Sequence, residues 1–186
     1  MKLRWIPNAI CVLRLLLIWP IVLALLDQRF GAALVLMVIA GFSDAVDGFL
    51  AKTFDWQTWI GGLLDPIADK LLIMTAFITL SYLQLVPAGL TAIVVGRDIV
   101  IIAGAAAYAM VVGKLSGEPS LLSKANTFFQ LVFLVLVISS AGLVTIPDAY
   151  VLATGAAVVF TSITSGLSYV VEWATRALAA RPAGEK

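Results

Sequence analysis

The chain has 186 residues, of which 62% are hydrophobic and only 12% charged, with a mean hydropathy of +1.06. A soluble domain needs a polar surface that this composition cannot supply, and a net charge of +1 without a long basic tract gives no basis for nucleic-acid binding. One cysteine, Cys11, excludes an intrachain disulfide, and the lack of histidine leaves only oxygen ligands for any metal.

In chain order, the apolar run after Lys2 and Arg4 begins like a signal peptide, but Pro20 and the residues up to Leu26 extend it to the length of a retained spanning helix. Six such segments follow one another, over residues 7–26, 30–54, 60–85, 87–112, 124–144 and 147–174, each near the roughly 20 apolar residues that a span requires. The runs are continuous rather than alternating, which favours helices over a barrel. Their connections are short and punctuated by Gly, Pro and charged residues. The expectation is one all-α, polytopic membrane domain over residues 1–186. Lys2, Arg4, Lys52, Lys114, Lys124, Arg176, Arg181 and Lys186 fall on one side of this plan and Arg29 on the other, so the positive-inside rule puts both termini in the cytoplasm.

Four carboxylates interrupt the second and third segments. An ionised side chain inside a span costs about 2.5 to 3.5 kcal/mol on insertion scales, so an intramembrane Asp reads as functional by default. Asp44 and Asp47 are three residues apart and Asp65 and Asp69 four apart, so each pair lies on one face of its helix. Counted from the short connection at 1.5 Å per residue, Asp47 and Asp65 lie on the order of 10 Å deep, and Asp44 and Asp69 on the order of 15 Å. Four negative charges at matched depth in a low dielectric require protons or a cation, and carboxylate-only ligands suit Mg²⁺ or Mn²⁺, with two ions bridged for phosphoryl transfer. The plainer alternative pairs each Asp with Lys52, Lys70, Arg97 or helix backbone. Gly48, Gly61 and Ala51 are either helix-packing contacts or room for a ligand near the backbone.

The stretch from Asp44 to Asp69 resembles the CDP-alcohol phosphotransferase signature D-x2-D-G-x2-A-R-x8-G-x3-D-x3-D. Asp44, Asp47, Gly48, Ala51, Gly61, Asp65 and Asp69 match it, and Lys52 stands where the pattern has arginine, keeping the charge but losing the bidentate fork. Ile6-Pro7-Asn8, Arg14, Leu64 to Lys70 and Arg97-Asp98 extend the resemblance. Ser123 to Thr127 followed by Gln130 is most similar to the cardiolipin synthases of this superfamily, whereas relatives making phosphatidylglycerol phosphate tend to carry Gly-Lys-x-Lys-Thr there.

The resemblance implies six transmembrane helices, a homodimer, and transfer of a phosphatidyl group from CDP-diacylglycerol to an alcohol in membrane phospholipid synthesis. The acceptor would be phosphatidylglycerol, giving cardiolipin and CMP, with glycerol 3-phosphate as the alternative. It implies two Mg²⁺ or Mn²⁺ ions on Asp44, Asp47, Asp65 and Asp69, with Asp69 also the base. Gly48, Ala51, Lys52, Thr58 and Gly61 would cradle the cytidine diphosphate, joined by Asn8 and Arg14, unless Arg14 extends to the interface. Arg97, Lys124 and Thr127 are candidates for the acceptor; Arg97 could instead be an internal ion pair with Asp98, and Lys124 a cytoplasmic flank. The expected location is a bacterial cytoplasmic membrane, with membrane lipids around the chain and the site facing the cytoplasm. A cation transporter would also carry intramembrane carboxylates, but it leaves Gly48, Ala51 and Gly61 unexplained and needs access from both faces.

Overall fold

The computed structural model describes residues 6–53, 59–111 and 121–179. They form six helices: α1 (Ile6–Leu26), α2 (Phe30–Thr53), α3 (Trp59–Tyr82), α4 (Ala88–Val111), α5 (Leu121–Gly142) and α6 (Asp148–Ala179). Among the described residues, three carry a stretch long and apolar enough to cross a membrane: Ala9–Leu26, Leu121–Gly142 and Asp148–Val171. Helices α2, α3 and α4 have 24 residues each, which at 1.5 Å per residue also exceeds the roughly 30 Å hydrocarbon thickness, and they carry the four motif carboxylates and the Arg97–Asp98 pair.

Two ends were set by backbone chemistry rather than by hydropathy. After α1, Arg29 N–H donates to the Ala24 carbonyl at 2.8 Å and Gln28 N–H to that of Leu25 at 2.9 Å, with Gln28 at φ 55°. After α3, Leu85 N–H bonds Leu80 O at 2.9 Å and Gln84 N–H bonds Ser81 O at 3.0 Å, with Gln84 at φ 61°. Both are Schellman closures, satisfying carbonyls that apolar surroundings would leave unpaired, with glutamine where glycine is usual. This is why α3 stops at Tyr82, short of the apolar Leu85 that the hydropathy pattern included.

The chain divides into two compact units, Met1–Pro87 with Leu134–Asp148, and Ala88–Phe133 with Ala149–Lys186. In the first, α1 packs against both α2 and α3. Cys11, Ile21 and Leu25 of α1, Ala33, Met37 and Ala40 of α2, and Leu72, Ala76, Phe77 and Leu80 of α3 are buried at helical spacing. Small residues let backbones approach: a Cβ on Gly142 would lie 2.6 Å from Phe30 Cδ2 and 3.2 Å from Phe30 Cβ. In the second unit, Gly155 lies under Phe133 and Leu90, and Gly166 under the Arg97 stem. The buried set there is largely polar, with Arg97, Asp98, Asn126, Gln130, Thr161, Ser162 and Ser165, whereas Leu121, Leu152 and Phe160 of the same unit are exposed. Apolar outside and polar inside is the arrangement suited to lipid.

Holding a residue with a Cβ in the left-handed region costs about 1 kcal/mol. Gln28→Gly, at an exposed position, is therefore expected to raise the unfolding midpoint of the detergent-solubilised protein by an amount worth up to about 1 kcal/mol in a thermal or denaturant melt.

Candidate active site

Helix α2 is unbroken through Asp44 and Asp47, and α3 through Asp65 and Asp69, so each pair has the helical register expected from its spacing. The side chains of Asp44, Asp47, Asp65, Gly48, Ala51, Lys52, Gly61 and Asn8 lie outside the described residues, as does Thr58 altogether.

Asp69 is the described member of the quartet. Its Oδ1 accepts a hydrogen bond from Arg14 Nη1 at 2.6 Å, joining α3 to α1. The two ends differ: the Arg14 side chain is 0% exposed and that of Asp69 41%. Arg14 is therefore not extended to the membrane interface. It lies on the same buried stripe of α1 as Cys11 and Ile21, three residues after one and seven before the other, so its guanidinium must be matched inside the unit. Sequence reasoning had suggested Lys52, Lys70 or Arg97 as cationic partners of the carboxylates. Arg14 was read instead as part of the cytidine diphosphate cradle or as extending to the interface, because its partner is 55 residues away.

The donor chemistry fits a hard divalent cation. Four carboxylates on two helices provide oxygen ligands only, the sole cysteine is buried, and Asp69 keeps a face accessible. Among the described residues no group of three or more potential ligands is assembled, three of the four Asp side chains lying outside them. Beside the motif, Ile10 and Leu13 of α1 and Val38, Ile39, Phe42, Ser43 and Val46 of α2 line an open groove of about 480 Å³. Ser43 gives its hydroxyl proton to the Ala40 carbonyl at 2.7 Å, so the wall is effectively apolar. Ser43 and Val46 flank Asp44 and Asp47 in sequence, which brings this wall to the edge of the carboxylate motif.

In the second unit Arg97 and Asp98 form a buried ion pair, Nη1 to Oδ1 at 2.5 Å. Arg97 Nη2 also donates to Ser123 Oγ of α5 at 2.9 Å and Ser165 Oγ of α6 at 2.6 Å. Of the other acceptor candidates, Lys124 is exposed, and Thr127 returns its hydroxyl proton to the Ser123 carbonyl at 3.2 Å. Sequence reasoning missed the α6 contribution. Asn126 Oδ1 faces Thr161 Oγ1 at 2.9 Å and Ser162 Oγ at 2.8 Å. Its signal was present in the helical spacing of Thr161, Ser162 and Ser165 within an apolar segment.

A family model described as CDP-alcohol phosphatidyltransferase matches residues 4–174, nearly the whole chain. The chain belongs to the CDP-alcohol phosphatidyltransferase family. Among curated proteins it is 36% identical to a cardiolipin synthase (CMP-forming) of Rattus norvegicus over 99 residues, covering 53% of this chain and 33% of that protein. It is 34% identical to the protein of that name from Homo sapiens, with the same coverage. A CDP-diacylglycerol–glycerol-3-phosphate 3-phosphatidyltransferase of Aquifex aeolicus is 33% identical over 128 residues, 67% of this chain and 70% of the relative. The chain thus spans about a third of the rat and human relatives and over two thirds of the bacterial one. In this chain the stretch matched by the family model contains the whole Asp44 to Asp69 motif together with Arg14 and Arg97.

If Arg14 and Asp69 stabilise the first unit through each other, their substitutions are not additive. A double-mutant cycle with Arg14→Met and Asp69→Asn, followed by denaturant melts in detergent, is expected to give a coupling energy of about 1 to 3 kcal/mol, below that of a fully buried pair because Asp69 is 41% exposed. Additivity within about 0.5 kcal/mol would show that the contact carries no stability.

Proposed function

We propose that this protein is a divalent-metal-dependent phosphatidyltransferase of membrane phospholipid synthesis, which moves the phosphatidyl group of CDP-diacylglycerol onto phosphatidylglycerol to give cardiolipin and CMP. The observation that carries this reading is the complete carboxylate motif on two unbroken helices, with Asp69 anchored by a buried arginine. A cation pathway would not need the glycines and alanine at their fixed offsets.

Asp44, Asp47, Asp65 and Asp69 would hold two Mg²⁺ or Mn²⁺ ions. When bound, these ions would neutralise the pyrophosphate oxygens and the charge developing on the leaving CMP. Asp69 takes the proton of the acceptor hydroxyl as that oxygen forms its bond to the phosphorus bearing diacylglycerol and the bond from phosphorus to the CMP oxygen breaks. Arg14 keeps Asp69 in one orientation while its accessible face meets the acceptor. Gly48, Ala51, Lys52, Thr58, Gly61 and Asn8 cradle the cytidine diphosphate, and the apolar groove of Ile10, Leu13, Val38, Ile39 and Phe42 takes an acyl chain. Arg97, Lys124 and Thr127 serve the acceptor.

The six helices span the membrane with both termini and the α2–α3 connection on the cytoplasmic side, as the Lys and Arg distribution supports. The chain works as a homodimer in a bacterial cytoplasmic membrane. A second reading, with glycerol 3-phosphate as acceptor, is favoured by the match to the Aquifex aeolicus transferase over 70% of that relative's length. Purified protein given CDP-diacylglycerol and each acceptor in turn, with the lipid product identified, decides between them.

Activity is expected to vanish in excess chelator and to return with Mg²⁺ or Mn²⁺; full activity in chelator would sink the two-ion site. In the same assay Asp69→Asn should abolish single-turnover chemistry while CDP-diacylglycerol still binds, because the amide oxygen can ligate but cannot take a proton. Asp44→Asn should instead weaken metal and CDP-diacylglycerol binding together.

Orientation is tested by labelling Asp55→Cys in a Cys11→Ala background. Labelling from the cytoplasmic side is expected, and labelling only from the outside would overturn both the topology and cytosolic access to the CDP-lipid.

A further inference from the structure

The open groove on the α1–α2 face is tied to the site on both of its walls. On α2, Val46 stands between Asp44 and Asp47 in sequence, and Phe42 and Val38 continue from it at four-residue intervals along one face. On α1, Leu13 turns outward beside Arg14, which is wholly buried and holds Asp69. The two helices pack together and are joined by residues 27–29, so they run antiparallel. Counted back from that connection, Ile10 lies level with Val46 and Leu13 with Ser43. The groove therefore has a mouth at the carboxylate motif and a far end at Val38 and Ile39.

Its chemistry selects an alkyl chain. The one hydroxyl on the wall, that of Ser43, donates to the Ala40 carbonyl, so a headgroup or an irregular peptide would find no partner there. The rest of the wall is Ile, Leu, Val and Phe, rather than the stripe of Gly, Ala and Ser that lets a second membrane helix approach closely. Leu13, Val38 and Phe42 are each more than half exposed, which opens the groove sideways along its length. Both readings of the acceptor share one lipid, the CDP-diacylglycerol donor, whereas only one of them has a lipid acceptor.

The groove also has a length. From Val46 to Val38 the helix rises about 12 Å at 1.5 Å per residue. An extended alkyl chain with bonds of about 1.5 Å advances about 1.25 Å per carbon, so this distance corresponds to about ten carbons.

We propose that the groove seats one acyl chain of CDP-diacylglycerol, and that Val38 and Ile39 at its far end limit the protein's grip to about the first ten carbons. This rests on the reading of the chain as a phosphatidyltransferase and goes beyond it by stating which lipid lies in the groove, in which direction and over what length. Lipid and groove are equally apolar, so the grip comes from packing rather than from removing methylenes from water. A change of shape is what tests it.

The test measures CMP release by the full chain in mixed micelles with dihexanoyl or dipalmitoyl CDP-diacylglycerol, holding fixed the acceptor that the wild-type protein uses. Each value is the ratio of variant to wild-type kcat/KM, so that partition of the donor into micelles cancels. Val38→Trp and Ile39→Trp plug the far end at exposed positions that accept the ring without entering the helix core. They should lower turnover of the dipalmitoyl donor about ten-fold more than that of the dihexanoyl donor, whose chains end before the plug. Ile10→Trp at the mouth should lower both, within about two-fold of each other. Val35→Trp, exposed on α2 beyond the groove, is the control that should change neither. If one far-end plug fails to fold, the other decides. Equal losses for the two donors at the far end, or no loss, overturn the proposal while leaving transferase activity standing; equal losses with altered self-association give the groove to a second copy of the chain instead. A dependence on the chain length of phosphatidylglycerol, with the donor fixed, gives the groove to the acceptor and also overturns it. No CMP release by the wild-type protein with any donor overturns the transferase reading itself.

Discussion

Apolar surroundings offer no hydrogen-bond partner and little screening, so a charge buried among helices as apolar as these has to be answered from within the protein. The structure responds to that constraint twice. In the first unit a wholly buried Arg14 meets Asp69 across two helices. In the second, Arg97 meets Asp98 beside it and draws hydroxyls from α5 and α6. The two arginines differ in what they leave accessible. Asp69 keeps much of its carboxylate surface, whereas Arg97 and Asp98 are closed in.

That difference suits different tasks. A carboxylate that binds metal and moves a proton has to be reachable, and an arginine fixing it from the buried side supplies orientation without occupying the approach. A neutralised ion pair surrounded by hydroxyls and amides, by contrast, creates a polar environment without a large field.

The same constraint governs the scaffold. Among the described residues α1, α5 and α6 carry the stretches long and apolar enough to cross a membrane, whereas α2 and α3 carry the four motif carboxylates and α4 the Arg97–Asp98 pair. Small residues at Ala33, Ala40, Gly142 and Gly155 let helices approach closely enough for packing to hold them, since burying leucine against lipid-like surroundings offers little hydrophobic gain. Schellman closures at Gln28 and Gln84 finish two helices by pairing their terminal carbonyls locally.

The sequence by itself determined the helical class, the segment order within a few residues, the carboxylate motif and the family, because continuous apolar runs and fixed offsets along a helix are local properties of the chain. The helix ends at Tyr82 and Gly142, two or three residues short of the hydropathy limits, were only partly legible, since left-handed turns and close packing set them. Tertiary structure alone decided that Arg14 turns inward to Asp69, and that Asn126 is gripped by Thr161 and Ser162 so that its amide nitrogen is the end left over. These contacts join residues 35 to 55 positions apart. Hydropathy records how apolar each helix is, but not which polar side chain of one will meet which of another, and in an apolar medium that meeting determines where every buried charge and hydrogen bond must go.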